Sequence, residues 1–381
     1  MTSTKLRTIG IDYTPAYEQG GGIGRYVREL VKALALIAPR EDVYRLFVAG
    51  ADKSSLPATP SNHFEWHPSR ITPAWFARLW HRANIPLPVE MFTGALDIYH
   101  ATDFVLPPTH KKTRTLLTVH DLSFVRVPET AQPSLKAYLD RVVPKSVQRA
   151  DHIVADSTAT KEDLIALYNT PPDKITVLLS GVESRFHPIT DISIKETLQK
   201  KYYFNRPYIF AVGTVQPRKN YERLIQAVAQ VRAQGTEIDL VISGGKGWLD
   251  HPIFKSIDDL NMKDHVHLIG YADDADLPAL YSFATVVATP SLYEGFGLPV
   301  LEGMACGTPV LTANISSLPE VAGDGAVLID PYNVDEMAQG LHQLIHDDTL
   351  RGSLRTRGLK RATELTWERS ARQLLGIYSH L

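Results

Sequence analysis

At 381 residues, the chain is too long to fold around a single compact core and calls for two domains. Its 44% hydrophobic and 22% charged residues are ordinary for a soluble globular protein. A net charge of −2 provides no global field to recruit nucleic acid or an anionic membrane. The lone cysteine, Cys306, rules out an intrachain disulfide and fits a reducing compartment.

The segment Met1–Arg7 has no apolar signal core and leads into a strand-like run, Leu6–Asp12. Further β-rich runs follow at Tyr44–Ala49, Asp97–Ala101, Thr115–His120, His152–Asp156 and Ile175–Leu179. The second half repeats the pattern at Tyr208–Gly213, Asp239–Gly244, Val266–Gly270, Thr285–Thr289, Pro309–Ala313 and Ala326–Ile329. Many are nearly continuous in apolar residues, as strands of a parallel sheet covered on both faces should be. Helical spacing fills most gaps, as in Ile23, Tyr26, Val27, Leu30, Val31 and Leu34, or Tyr221, Leu224, Ile225, Val228 and Val231. The class is therefore α/β, with two doubly wound domains. The expected division is 1–187 and 188–364, with a joint near Ser184–Ile194 and a closing helix at 365–381 packing back on the first domain. No run approaches transmembrane length, so cytoplasmic placement is expected, with peripheral contact at the inner face of the membrane left open.

Doubly wound sheets bind ligands beyond the carboxyl ends of their strands, and the chemically interesting residues cluster there. After the first strand, Gly20-Gly21-Gly22-Ile23-Gly24 opens a helix and can bring N–H groups close to a ligand. Val27 stands where a dinucleotide fingerprint would need its third glycine, so that reading fails; a flexible loop without a ligand is the alternative. Trp75, Phe76, Leu79 and Trp80 form an apolar stripe beside Arg70, Arg78 and Arg82. It suits an interfacial helix on anionic lipid and a core-facing helix equally. His120 ends a strand, where it can donate to a hydroxyl or stabilise charge, or be a core histidine satisfied by its neighbours. Ser157 reads as the cap of a helix over Thr158–Leu167.

In the second half, Gly213-Thr214-Val215-Gln216-Pro217-Arg218-Lys219-Asn220 puts two adjacent cations at a strand end, suited to a diphosphate. Asp274-Ala275-Asp276 spells Asp-x-Asp, but it precedes a helix start and Asp276 reads as a cap, so no metal is assigned. The most informative run is Tyr293-Glu294-Gly295-Phe296-Gly297-Leu298-Pro299-Val300-Leu301-Glu302. Two carboxylates flank a glycine turn and a helix start, with Pro299 expected at the first helical position and Glu302 in the first turn. N–H groups near Phe296, Gly297 and Leu298 would point at an anionic or hydroxyl-bearing ligand. Gly307 marks the stop of a short helix that contains Cys306 as a buried residue.

Together the Gly20–Gly24 loop, His120, Arg218-Lys219, the Glu294/Glu302 pair and the Trp367 region resemble the retaining glycosyltransferases of family 4, which have the GT-B fold. That resemblance covers almost the whole chain. It implies two Rossmann-like domains facing an interdomain cleft, with a nucleotide-diphosphate sugar bound mainly by the second and an acceptor mainly by the first. It assigns the ribose to Glu302, donor-sugar hydroxyls to Glu294, and the diphosphate to Arg218, Lys219 and N–H groups near Gly22, Gly24 and Gly297. It sets His120 beside the sugar and Gly270 and Tyr271 beside the base. Thr214 departs from the pattern, since many relatives carry arginine there. The implied reaction moves a hexose with retention to a glycan or lipid-linked glycan, without metal or resident cofactor. The Gly213–Asn220 run resembles users of GDP-mannose; UDP- or dTDP-sugars, or an epimerase or phosphorylase on the same fold, are the alternatives.

Overall fold

The computed structural model describes residues 6–83 and 85–381; the leader reading on Met1–Lys5 lies outside the described residues. Contacts divide the chain into two compact units. The first holds the chain up to Leu122, Ala137–Ser180 and Trp367–Leu381, and the second holds Ser123–Lys136 and Gly181–Thr366.

In the first unit, seven parallel strands run in the order β3-β2-β1-β4-β5-β6-β7. They are β1 (Thr8–Asp12), β2 (Val43–Ala49), β3 (Phe64–Ser69), β4 (Ile98–Ala101), β5 (Arg114–Val119), β6 (His152–Ala155) and β7 (Ile175–Val177). β3 is the strand that sequence reasoning missed. Its Pro68 and polar residues break the pattern, and they are tolerated because β3 lies at the sheet edge, where a missing N–H costs no ladder bond. The strand order turns between β1 and β4, and Asp12, Thr102 and His120 sit at the carboxyl ends around that point.

The second unit has six parallel strands in the order β10-β9-β8-β11-β12-β13. They are β8 (Tyr208–Val212), β9 (Asp239–Ser243), β10 (Val266–Leu268), β11 (Val286–Thr289), β12 (Val310–Ala313) and β13 (Ala326–Ile329). Here the order turns between β8 and β11. The helix Tyr221–Ala233 buries Tyr221, Leu224, Ile225, Val228 and Val231 against this sheet, the face its spacing implies. The segment Ser123–Lys136 belongs to this unit: Val127 is buried with Leu292 and Tyr293, and the Trp248 indole donates to the Thr130 carbonyl at 2.8 Å.

The Trp75–Trp80 stripe divides between core and surface. Phe76 is buried and stacked on Trp80 at 4.3 Å, with Phe92 edge-on at 5.2 Å, whereas Trp75 is exposed. The last helix, Trp367–His380, packs on the helix Gly22–Ile37. Leu374, Ile377 and Tyr378 are buried, Trp367 meets the Tyr26 ring edge-on, and the Arg7 guanidinium donates to the Tyr378 carbonyl at 2.8 Å. The Tyr378 hydroxyl and His100 Nδ1 are 2.8 Å apart. Burial holds His100 neutral, its pKa pushed down to about 3, with the charge of His120 adding to the effect. The final helix is thus integral to a unit whose other elements end almost two hundred residues earlier.

Leu374→Ala removes a buried side chain from this seam, and a cost of about 2–5 kcal/mol is expected. Urea unfolding of the full chain measures it; a loss below about 1 kcal/mol would show the helix to be a dispensable appendage.

Candidate functional site

In the second unit, the loops after β8 and β11 meet at the turn of the strand order, where open α/β sheets bind ligands. Between them lies one buried carboxylate. Arg218 donates through one guanidinium nitrogen to Glu294 Oε2 at 2.9 Å and to the Tyr293 carbonyl at 2.7 Å, and Lys219 Nζ donates to Glu294 Oε1 at 2.6 Å. The Leu292 N–H donates to the Arg218 carbonyl at 2.8 Å and the Glu294 N–H to Ser316 Oγ at 3.0 Å. Ser317 Oγ donates to the carbonyls of Glu294 and Phe296. Burial alone would raise the Glu294 pKa, but Lys219 and Arg218 outweigh it and hold it at about 2.

Gly297 caps the next helix, Leu298–Ala305, at a φ of +106°, where a Cβ would also sit 2.7 Å from Leu318 Cδ2. This starts the helix one residue earlier than the sequence reading has it. Pro299 therefore takes the second helical position, and Glu302 falls in the second turn instead of the first. There Glu302 is 2% exposed and Oε2 accepts from the Tyr281 hydroxyl at 2.7 Å, so its place owes nothing to the helix dipole. Cys306 ends that helix buried, its thiol pKa pushed up to about 12 by burial, and is no nucleophile.

Sequence reasoning missed the loop Gly244-Gly245-Lys246-Gly247 after β9. It lies along the β8 loop, with Val215 N–H donating to the Gly245 carbonyl at 2.9 Å and Gly247 N–H to the Val215 carbonyl at 3.2 Å. A Cβ on Gly244 would sit 2.0 Å from the Gly213 carbonyl oxygen, so only glycine admits this approach. The signal was three glycines at a strand end. Gly270, at a φ of +67°, accepts from the Gly244 N–H at 2.8 Å, and the exposed Tyr271 ring lies over Gly245. Asp276 stands at the helix-cap position but does not cap; its carboxylate accepts from Lys201 at 2.6 Å and the Tyr202 hydroxyl at 2.7 Å. His342 and His346, at His-x-x-x-His spacing, are one helical turn apart, with ring centroids 4.4 Å apart. Among the described residues, no group of three or more histidine, cysteine, aspartate or glutamate side chains could hold a metal ion.

In the first unit, His120 is buried with both ring nitrogens engaged: Nδ1 with Asp156 Oδ2 at 2.7 Å and Nε2 with the Thr102 carbonyl at 2.8 Å. Of the two readings the sequence left open, the neighbours do satisfy this histidine. Burial disfavours its charge, but Asp156 outweighs burial and raises its pKa to about 9. A carbonyl and a carboxylate can only accept, so the imidazole donates from both nitrogens as a cation. Asp156, 36 residues away, was not foreseen. Tyr26 meets the imidazole edge-on at 5.0 Å. At the end of β1, burial raises the Asp12 pKa to about 6 against the opposing bonds from Thr14.

The glycine loop separates into two roles. Gly20, Gly21 and Gly22 have open space where a Cβ would go, so packing does not demand them. A Cβ on Gly24 would lie 2.0 Å from the Gln19 carbonyl oxygen, so that glycine serves the fit of the helix against its own entry turn. Ser157 does cap its helix, accepting from the Thr160 N–H at 3.2 Å.

Residues 194–361 match the glycosyl transferases group 1 model, and residues 20–186 match Glycosyltransferase Family 4. The chain is 32% identical to O-antigen chain mannosyltransferase B of Escherichia coli, across 94% of this chain and 96% of that protein. It is 34% identical to a D-inositol 3-phosphate glycosyltransferase of Salinispora arenicola, across 68% of this chain and 62% of that one. In fold it is similar to sucrose-phosphate synthase from Thermosynechococcus elongatus, with a TM-score of 0.76 at 21% identity over 98% of both chains. It is also similar to HepE of Anabaena, solved with UDP and glucose, with a TM-score of 0.73 at 19% identity over 99% of this chain and 100% of that one. The fold is GT-B, two Rossmann-like units with parallel sheets.

The low Glu294 pKa carries a pH signature. Its stabilisation is complete above the ordinary value of 4.5 and is lost as pH falls through about 2. Glu294→Gln is expected to remove on the order of 3 kcal/mol of the acid-side loss in stability, read from urea unfolding over a pH series. Identical acid slopes in both proteins would contradict the clasp. For His120, imidazole nitrogen NMR is expected to show both nitrogens protonated at neutral pH, with loss as pH rises through about 9; a midpoint below the ordinary 6.5 would contradict the pairing.

Proposed function

Because the chain belongs to glycosyltransferase family 4, we propose that it moves mannose from GDP-mannose to a hydroxyl of a glycan or lipid-linked glycan, with retention at the anomeric carbon. One observation carries this reading: Arg218 and Lys219 together outnumber the Glu294 carboxylate they hold, leaving one positive charge in excess at the strand ends. A departing nucleoside diphosphate needs such a charge, and fixed cations in a partly dry site stabilise it without reorganising. The likeness to an O-antigen mannosyltransferase supports mannose, and the form of the Gly213–Asn220 loop supports the guanine nucleotide.

In this reaction the bond from the anomeric carbon to the β-phosphate oxygen breaks, and a bond to the acceptor oxygen forms on the same face. The acceptor's proton passes to the leaving diphosphate. Lys219 and Arg218 hold that diphosphate together with N–H groups at Phe296, Gly297 and Leu298. Glu294, kept ionised and still rich in acceptor positions, takes hydroxyls of the donor sugar. Glu302, oriented by Tyr281, takes the ribose, and Gly270 and Tyr271 border the base. The donor is a substrate, and with this charge supply the reaction needs no resident metal.

The test offers GDP-mannose, UDP-sugars and dTDP-sugars with a mannoside acceptor and reads the product's anomeric configuration by NMR. Transfer from GDP-mannose with the donor configuration kept is expected; inversion, or use of UDP-sugars alone, would overturn the assignment. Lys219→Ala should lower kcat by about a hundredfold or more, and wild-type turnover in that variant would remove its role.

A further inference from the structure

The helix Val334–His346 follows β13 and packs in the second unit, with Met337, Ala338, Leu341 and Leu344 buried in that unit's core. Those positions fix its rotation. His342 and His346, four residues apart, therefore stand one above the other on its exposed side. Their ring centroids are 4.4 Å apart, with the planes inclined at 45°. A single ion about 2.0–2.1 Å from a nitrogen of each ring is within reach of such a pair.

The two imidazoles are not equivalent. His346 Nε2 and Thr236 Oγ1, in the turn before β9, are 2.9 Å apart. When Nε2–H donates to that hydroxyl, the lone pair falls on Nδ1, so the threonine selects the ring nitrogen that can ligate. Among the described residues, no hydrogen bond engages Nδ1 of His346 or either nitrogen of His342. His346 also occupies the last turn of its helix, where the carbonyl ends favour a cation.

We propose that His342 and His346 bind a late first-row dication such as Zn²⁺, and that Thr236 positions His346 for it. Imidazole suits metals of this class, whereas Mg²⁺ and Ca²⁺ take oxygen ligands. Two protein ligands leave the rest of the shell to water, which agrees with the lack, among the described residues, of any larger set of ligating side chains. The helix runs back from the carboxyl end of β13, and Thr236 leads into β9. The pair thus stands at the amino ends of the strands, at the opposite end of the sheet from the Glu294 clasp. An ion there takes no part in sugar transfer; it ties the helix end to the turn before β9 and stabilises the second unit by mass action. The inference is independent of the donor and reaction assigned above.

Calorimetric titration of the chelator-treated full chain with ZnCl2, and with MgCl2 as the hard-cation control, tests it. A saturable step of one Zn²⁺ per chain is expected, with a rise in unfolding temperature, and neither is expected with MgCl2. His342→Ala should abolish that step. Thr236→Val keeps both ligands and should weaken binding by about tenfold, with far-UV circular dichroism unchanged in both variants. No zinc step in the wild type, or the same step in His342→Ala, would overturn the proposal. Wild-type affinity in Thr236→Val would overturn the positioning role.

Discussion

A buried carboxylate shared by two cations is the constraint on which the second unit's functional end depends. Glu294 is 7% exposed, and an ion so enclosed is tolerable only when paired and hydrogen-bonded. Arg218 and Lys219 supply both, and in doing so they join the loop after β8 to the loop after β11 across the turn of the strand order. The same contact that steadies these loops concentrates positive charge at the helix entry capped by Gly297. Stability and ligand recognition are therefore linked here: taking away either cation leaves Glu294 with one charged partner instead of two and removes the excess positive charge that a phosphate needs.

The first unit uses a second buried ion pair differently. His120 and Asp156 are both enclosed, and the imidazole is held from two sides by Asp156 and the Thr102 carbonyl. Around it, Tyr26 touches the ring edge and in turn meets Trp367 of the last helix. The chain's final segment thus supports the packing around a charged group near the strand ends. Its burial against the helix Gly22–Ile37 explains why a segment so late in the sequence belongs to the first unit.

Most of this architecture could be read from the residues, because strands covered on both faces are nearly continuous in apolar residues, as Tyr208–Val212 is. The edge strand Phe64–Ser69 could not, since an edge admits proline and polar side chains that erase the pattern. Arg218, Lys219 and Glu294 were legible because all three stand at strand ends, where the strand-order rule points. The register of Glu302 was not: it hangs on the positive φ of Gly297, which moves the helix start and carries Glu302 to the Tyr281 hydroxyl. Asp156 and the Gly244–Gly247 loop acquire meaning only once the sheet sets them beside His120 and the β8 loop. Ser123–Lys136 likewise joins the second unit through Val127 and Thr130, contacts that no local periodicity encodes.

The most direct measurement of the diphosphate site is calorimetric binding of GDP and UDP beside guanosine and uridine, in wild type and Lys219→Ala. A site built on the Arg218–Glu294–Lys219 clasp should bind the preferred diphosphate at least about a hundredfold more tightly than its nucleoside. Lys219→Ala should lose about tenfold or more of that margin while nucleoside affinity stays put. Equal affinity for diphosphate and nucleoside in wild type, or a margin untouched by the substitution, would contradict it.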